Sequence, residues 1–118
     1  MRAERILNMD INFKGYGENA ATFLADSSVK AGYLVTMKSN GTVKAATSGT
    51  DFIGVCLSVC DGYAVVQLSG YVEAKVSSAI ALGVKSIVPV SYDTVDVSQN
   101  GRSCIVVYSD SNTAGFII

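Results

Sequence analysis

The side chains here with chemistry to offer are three thiols and a scatter of single carboxylates. The thiols are Cys56, Cys60 and Cys104; the acids of the strand-rich region are Asp51, Asp61, Glu73, Asp93, Asp96 and Asp110. A thiol becomes a nucleophile when a nearby cation or helix N-terminus lowers its pKa, and no basic residue adjoins these three in sequence. Cys56 and Cys60 have three residues between them, not the two of a redox or zinc pair. On one strand, positions four apart share a face at about 13 Å, too far for a disulfide or a shared metal. The cysteines therefore read as small hydrophobes. Their odd number, without a secretion signal, suits reduced thiols in a cytosol.

Acid chemistry needs carboxylates converging from different elements. Only Asp93 and Asp96 are close in sequence, and Asp61 and Asp93 suit turns. There is no histidine, the commonest general base and metal ligand. Gly15-Tyr16-Gly17 lacks the third glycine and the strand-to-helix setting of a phosphate-cradling loop. The sequence thus assigns no catalytic, cofactor-binding or metal-binding residue, and the expectation is a protein that is not an enzyme.

The elements that would carry these residues are short strands. Tyr33-Leu34-Val35-Thr36-Met37-Lys38 and Val43-Lys44-Ala45-Ala46 flank Asn40-Gly41, a strong hairpin signal. Phe52 to Val59 is apolar enough to be buried on both faces, and Asp61-Gly62 turns it into Tyr63 to Ser69. Gly70 then marks a bulge or barrel corner before Tyr71 to Val76. That last run alternates, with Tyr71, Glu73 and Lys75 on one side and Val72, Ala74 and Val76 on the other.

Ser77 to Gly83 is the one stretch with a serine cap and a glycine stop, and is expected to form a helical turn. Ile87 to Tyr92 carries the lone Pro89 and reads as an edge strand or bulge. Val95 to Ser98, Asn100-Gly101, Cys104 to Tyr108 and Gly115 to Ile118 complete about nine strands, the signature of a β-barrel or sandwich. A faint repeat joins Gly32-Tyr33-Leu34-Val35, Thr42-Val43-Lys44 and Phe52-Ile53-Gly54 to Gly83-Val84-Lys85-Ser86, Thr94-Val95-Asp96 and Gly115-Phe116-Ile117. Tyr33, Tyr63, Tyr71, Tyr92 and Tyr108 fall in strands, where tyrosine is common.

Residues 1–28 are rich in Asn, Gly, Asp and Ser and read as an extended N-terminal arm, with the β-barrel domain at 29–118. The expected fold is thus all-β, a small barrel or sandwich with an arm and at most one short helix. Apolar residues make up 49% of the 118 and charged residues 16%, which excludes disorder for most of the chain and leaves apolar surface for a partner or a second copy. The nine basic residues lie singly along a chain of net charge −1, without the patch that nucleic-acid binding needs. Met1-Arg2-Ala3-Glu4-Arg5 has no apolar run after it, so no signal peptide is expected, and no apolar run approaches the roughly 18 residues of a membrane span.

Three features together resemble the small β-barrel decoration, or cement, proteins of tailed-bacteriophage capsids. They are Val29-Lys30-Ala31-Gly32-Tyr33-Leu34-Val35 after a polar arm, Asn40-Gly41-Thr42-Val43-Lys44-Ala45, and Asp51-Phe52-Ile53-Gly54-Val55-Cys56-Leu57 after a Thr/Ser-rich link. Gly70-Tyr71-Val72-Glu73-Ala74, Ala81-Leu82-Gly83 and Thr113 to Ile118 fit the same layout, so the resemblance covers 29–118. It implies a structural protein, made in the host cytoplasm, that sits on the virion surface as a homotrimer and bridges the major capsid protein lattice. It implies no cofactor and no catalytic motif. The arm, with Ile6, Met9, Ile11, Phe13, Tyr16 and Phe23, is the candidate capsid-binding element, adding a strand to an exposed edge. A glycan-binding module, or another structural β module of a tail or surface assembly, is the alternative.

Overall fold

The computed structural model describes residues 17–118. The fold is all-β. Among the described residues ten strands run β1 (Asn19–Ala25), β2 (Leu34–Ser39), β3 (Thr42–Ala45), β4 (Gly54–Cys60), β5 (Tyr63–Ser69), β6 (Tyr71–Lys75), β7 (Gly83–Pro89), β8 (Val95–Val97), β9 (Arg102–Ser109) and β10 (Thr113–Ile117). Strands β1 to β5 close a barrel in the order β1-β3-β2-β4-β5, and β6 to β10 form a second sheet in the order β6-β10-β9-β7-β8.

The two sheets are the same unit used twice. In each, the first strand runs antiparallel to the fifth, the second pairs with the third and fourth, and the fourth pairs with the fifth. The parallel β1–β3 contact that closes the barrel has a counterpart in one parallel bridge, Lys75 to Thr94. Details match down to single bonds. Leu24 N donates to Gly41 O and Ala25 N to Gly62 O, as Lys75 N donates to Asp93 O and Val76 N to Asn112 O, all at 2.9 Å. The register shift between Cys56 and Ser58 recurs between Val106 and Tyr108. The repeat glimpsed in the sequence joins the right strands in its first two segments, β2 with β7 and β3 with β8, but its first is one residue out of step, since Leu34 O accepts from Ala46 N as Ser86 O accepts from Ser98 N. Its third was misaligned: the partner of the Gly54 strand is the Cys104 strand, not Gly115-Phe116-Ile117.

Each unit has its own core. Val29, Val35, Val43, Cys56, Ala64 and Val66 fill the first, with Phe23 and Ala25 against them. Ile87, Val95, Val106, Ala114 and Phe116 fill the second in equivalent places, joined by Val72, Val76 and Cys104. Leu34, Ala46 and Phe52 lie outside the first barrel and pack into that second cluster, which fastens unit to unit. Arg102 reinforces the joint. Its guanidinium donates to Ile53 O at 2.7 Å and Leu68 O at 3.0 Å, and lies 5.7 Å from the Phe52 ring centroid.

Four expectations change. Asn19–Ala25 belongs to the barrel, so the barrel begins ten residues earlier than Val29, while the remainder of the expected arm lies outside the described residues. Alternation explains β1: Ala21, Phe23 and Ala25 are turned toward the core, and Ala20, Thr22 and Leu24 are exposed. Ser77 to Leu82 forms no helix. It is an irregular link anchored by half-buried Ile80, whose N–H donates to Ser109 Oγ at 3.0 Å. Strand β7 is not an edge strand but lies between β8 and β9. Pro89 is tolerated because it ends the strand, beyond the last β9 pairing at Ile87. Cys56 and Cys60 do not share an environment, since the register shift between them leaves Cys56 buried and Cys60 exposed.

Candidate functional site

The acids mostly serve turns. Asp61 and Gly62 both take positive φ, at 53° and 81°, as a tight hairpin turn between right-twisted strands requires. Asp93 accepts from Ser91 Oγ, Thr94 Oγ1 and the Lys75 ammonium. Burial by itself would raise its carboxyl, but these hydrogen bonds outweigh it and hold the pKa below the usual range. Asp110 accepts from the Tyr108 hydroxyl and from the N–H groups of Asn112 and Thr113, which lower it likewise. Asp26 is lowered mainly by hydrogen bonds from Ser28.

The thiols are set apart by burial. Cys56 donates to Ser58 O and Cys104 to Arg102 O, each at 3.4 Å, inside the first and second core respectively. Burial raises the Cys56 thiol and pushes Cys104 up to about 11. A raised thiol is a poor nucleophile at neutral pH. Among the described residues, no three of Cys, Asp and Glu gather in a metal-sized cluster.

Two shallow grooves flank β6. One, about 240 Å³, is lined by Gly32, Glu73, Lys75, Asp93 and Thr113. The chain on either side of it carries Tyr33 and Tyr92, stacked with ring centroids 4.3 Å apart. The other, about 160 Å³, lies between Val55 and Gln67 of the first unit and Tyr71, Val72 and Glu73 of the second. The Tyr71 hydroxyl donates to Glu73 Oε2 at 2.8 Å. Burial first, and then this carboxylate, raise its pKa well above the ordinary phenol. Both grooves are smaller than the roughly 300–1,000 Å³ that encloses a drug-sized ligand.

Larger in extent are the exposed apolar side chains. Leu24 and Tyr63 are cross-strand neighbours at the rim of the first barrel, 47% and 53% exposed. On the outer face of the second sheet, Val84, Ile105, Ile117 and Tyr71 stand side by side across β7, β9, β10 and β6. Val84 is 70% exposed and Ile105 46%, whereas Tyr71 is covered.

Of the sequence-stated arm residues, Ile6, Met9, Ile11, Phe13 and Tyr16 lie outside the described residues. Phe23, on β1, is partly buried and packs against the first core. The outer face around Val84 and Ile105 was missed, although a signal was present. The run Cys104-Ile105-Val106-Val107 is apolar at both parities, and a strand apolar on both faces needs cover on both.

No protein-family model matches the chain, and no curated protein matches it either.

Proposed function

We propose that this protein is a structural binding module, a capsid decoration protein that attaches to an assembled phage shell and stiffens it. The observation that carries the reading is the amount of large apolar side chain left on the outside of two packed β units, Leu24, Tyr63, Leu82, Val84 and Ile105 among them. Patches of this kind mark protein contacts. The sequence resemblance over 29–118 points to the same class.

On this reading the shell contact belongs to residues 1–16, where Met9, Ile11 and Phe13 alternate as a strand added to an exposed edge would require. The root of that segment is fixed to the first barrel, since Gly17 O accepts from Ser69 Oγ at 2.9 Å. The two units form the body that contacts other copies. Affinity for the lattice and not for free subunits stabilises the shell by mass action, and several contacts per oligomer add avidity.

The test is co-sedimentation with shells assembled from the major capsid protein encoded in the same genome. The full chain is expected to pellet with shells and to ignore free capsid subunits. A chain lacking residues 1–16 should keep its fold and lose the shell. Failure of the full chain to pellet contradicts the reading, and shell binding by the shortened chain contradicts the role of the segment.

A further inference from the structure

The chain holds two Asn-Gly pairs, Asn40-Gly41 and Asn100-Gly101, and the fold treats them in opposite ways. Asparagine amides are thermolabile, most of all before glycine. The next backbone nitrogen can add to the side-chain amide carbon, and a glycine, having no Cβ, leaves that nitrogen open. Both asparagines are exposed, so the difference lies in the glycines. Gly41 stands at the exposed tip between β2 and β3. Among the described residues no hydrogen bond holds its N–H, and a Cβ built on it would meet nothing within 4 Å. Gly101 is fastened instead. Its N–H donates to Ser86 Oγ at 2.6 Å, and a Cβ there would run into the Ile87 carbonyl, so this glycine is wedged against the β7 backbone.

We infer that Asn40 is a site of spontaneous self-modification in the folded protein, that Asn100 is guarded against it, and that the product loosens the first barrel. The Gly41 nitrogen, deprotonated by solvent base, bonds to Asn40 Cγ. The Cγ–Nδ2 bond breaks, the side-chain nitrogen leaves as ammonia, and a cyclic succinimide closes. Water then opens the ring at one of its carbonyls. Cleavage of the new Cγ–N bond gives aspartate. Cleavage of the original peptide bond gives isoaspartate, whose backbone runs through the side chain and is one methylene longer. The net change is amide and water to acid and ammonia, with no oxidant, metal or enzyme required. The place matters because Gly41 O accepts from the Leu24 N–H at 2.9 Å. That bond lies beside the Leu24–Thr42 and Ala25–Val43 pairs that close the first barrel. Aspartate leaves the Gly41 carbonyl where it is. Isoaspartate lengthens the backbone immediately before it and draws it off Leu24, so the β1–β3 seam opens. This chemistry is independent of the shell reading.

The test incubates the folded full chain in warm, mildly alkaline buffer and follows both pairs by peptide mass spectrometry, with fragmentation that separates aspartate from isoaspartate. Asn40 is expected to convert, mainly to isoaspartate, while Asn100 keeps its amide. In denaturing urea, where neither glycine is held, the two should convert at similar rates. Hydrogen exchange reads the consequence. The Leu24 amide should lose protection in step with isoaspartate in the wild type. It should stay protected through the same incubation in Asn40→Ser, which has no amide to lose. An Asn40 that stays intact in the folded protein overturns the site. Equal conversion of both pairs in the folded protein, or a gap that persists in urea, overturns the guarding of Asn100 by the fold. Conversion of Asn40 with Leu24 still protected leaves the site standing and overturns its effect on the barrel.

Discussion

Cys60 is exposed while Cys56 and Cys104 sit in the two cores, so the thiols should separate cleanly by reactivity. A disulfide reagent at neutral pH is expected to modify one thiol rapidly in the folded protein and all three after denaturation; rapid reaction of two or three in the native state would contradict the burial. Burial also ties the thiols to stability. An unfolded thiol ionises near 9.0, and Cys104 does so only at about 11. Below the first value both states hold the proton. Between the two only the folded state does, so stability falls as pH rises through that window. The raised Tyr71 adds to the loss. At the acid end, the lowered carboxyls of Asp26, Asp93 and Asp110 contribute stability that is present above about pH 4 and lost as pH falls through their folded values. Urea midpoints should therefore form a plateau from about pH 5 to 9 that slopes down on both sides, and Cys104→Ala should flatten the alkaline slope. Gly54 is a further single-residue constraint. A Cβ there would run into the Gln67 carbonyl, backbone that cannot swing away. Gly54→Ala is expected to cost about 2 kcal/mol or more in a denaturant titration, in the manner of overpacked cores.

Arg102 shows what an element-level joint depends on. Its two nitrogens hold the carbonyls of Ile53 and Leu68, which end different segments of the first unit. Hydrogen bonds from a charged donor are worth about 1.5–3 kcal/mol. Arg102→Ala should lower stability by about that amount, and Arg102→Lys should recover only part of it, because an ammonium lacks the planar fork. Within the second unit Phe116 is fully buried, and Phe116→Ala is expected to cost about 3–5 kcal/mol. The strands themselves were readable from the sequence where β-branched runs met Asn-Gly or Asp-Gly. Strand β1 was not, because Asn19-Ala20-Ala21-Thr22 gives little hydrophobic contrast and its order comes from pairing with β5 and β3. The Ser77–Leu82 link read as helical from its local cap and stop signals, but tertiary anchoring of Ile80 decides its path. The Cys56/Cys60 relation failed for a third reason, since strict alternation ignores a bulge that only the partner strand reveals.

At the scale of the whole molecule, two copies of one five-stranded unit are stacked so that the outside of the first is core for the second. That stacking leaves Val84 and Ile105 exposed on the outer face of the second sheet. The sequence carried the composition that demands such a face, 49% apolar against 16% charged, but not its position, which depends on how the units sit. A chain built this way is suited to holding neighbours together, and the shell reading adds residues 1–16 as the anchor. The most direct measurement of that claim is co-sedimentation of the full chain, beside the chain without residues 1–16, with shells of the co-encoded capsid protein. The account predicts saturable pelleting of the first and none of the second, with both equally folded. A full chain that stays in the supernatant at every shell concentration would contradict it.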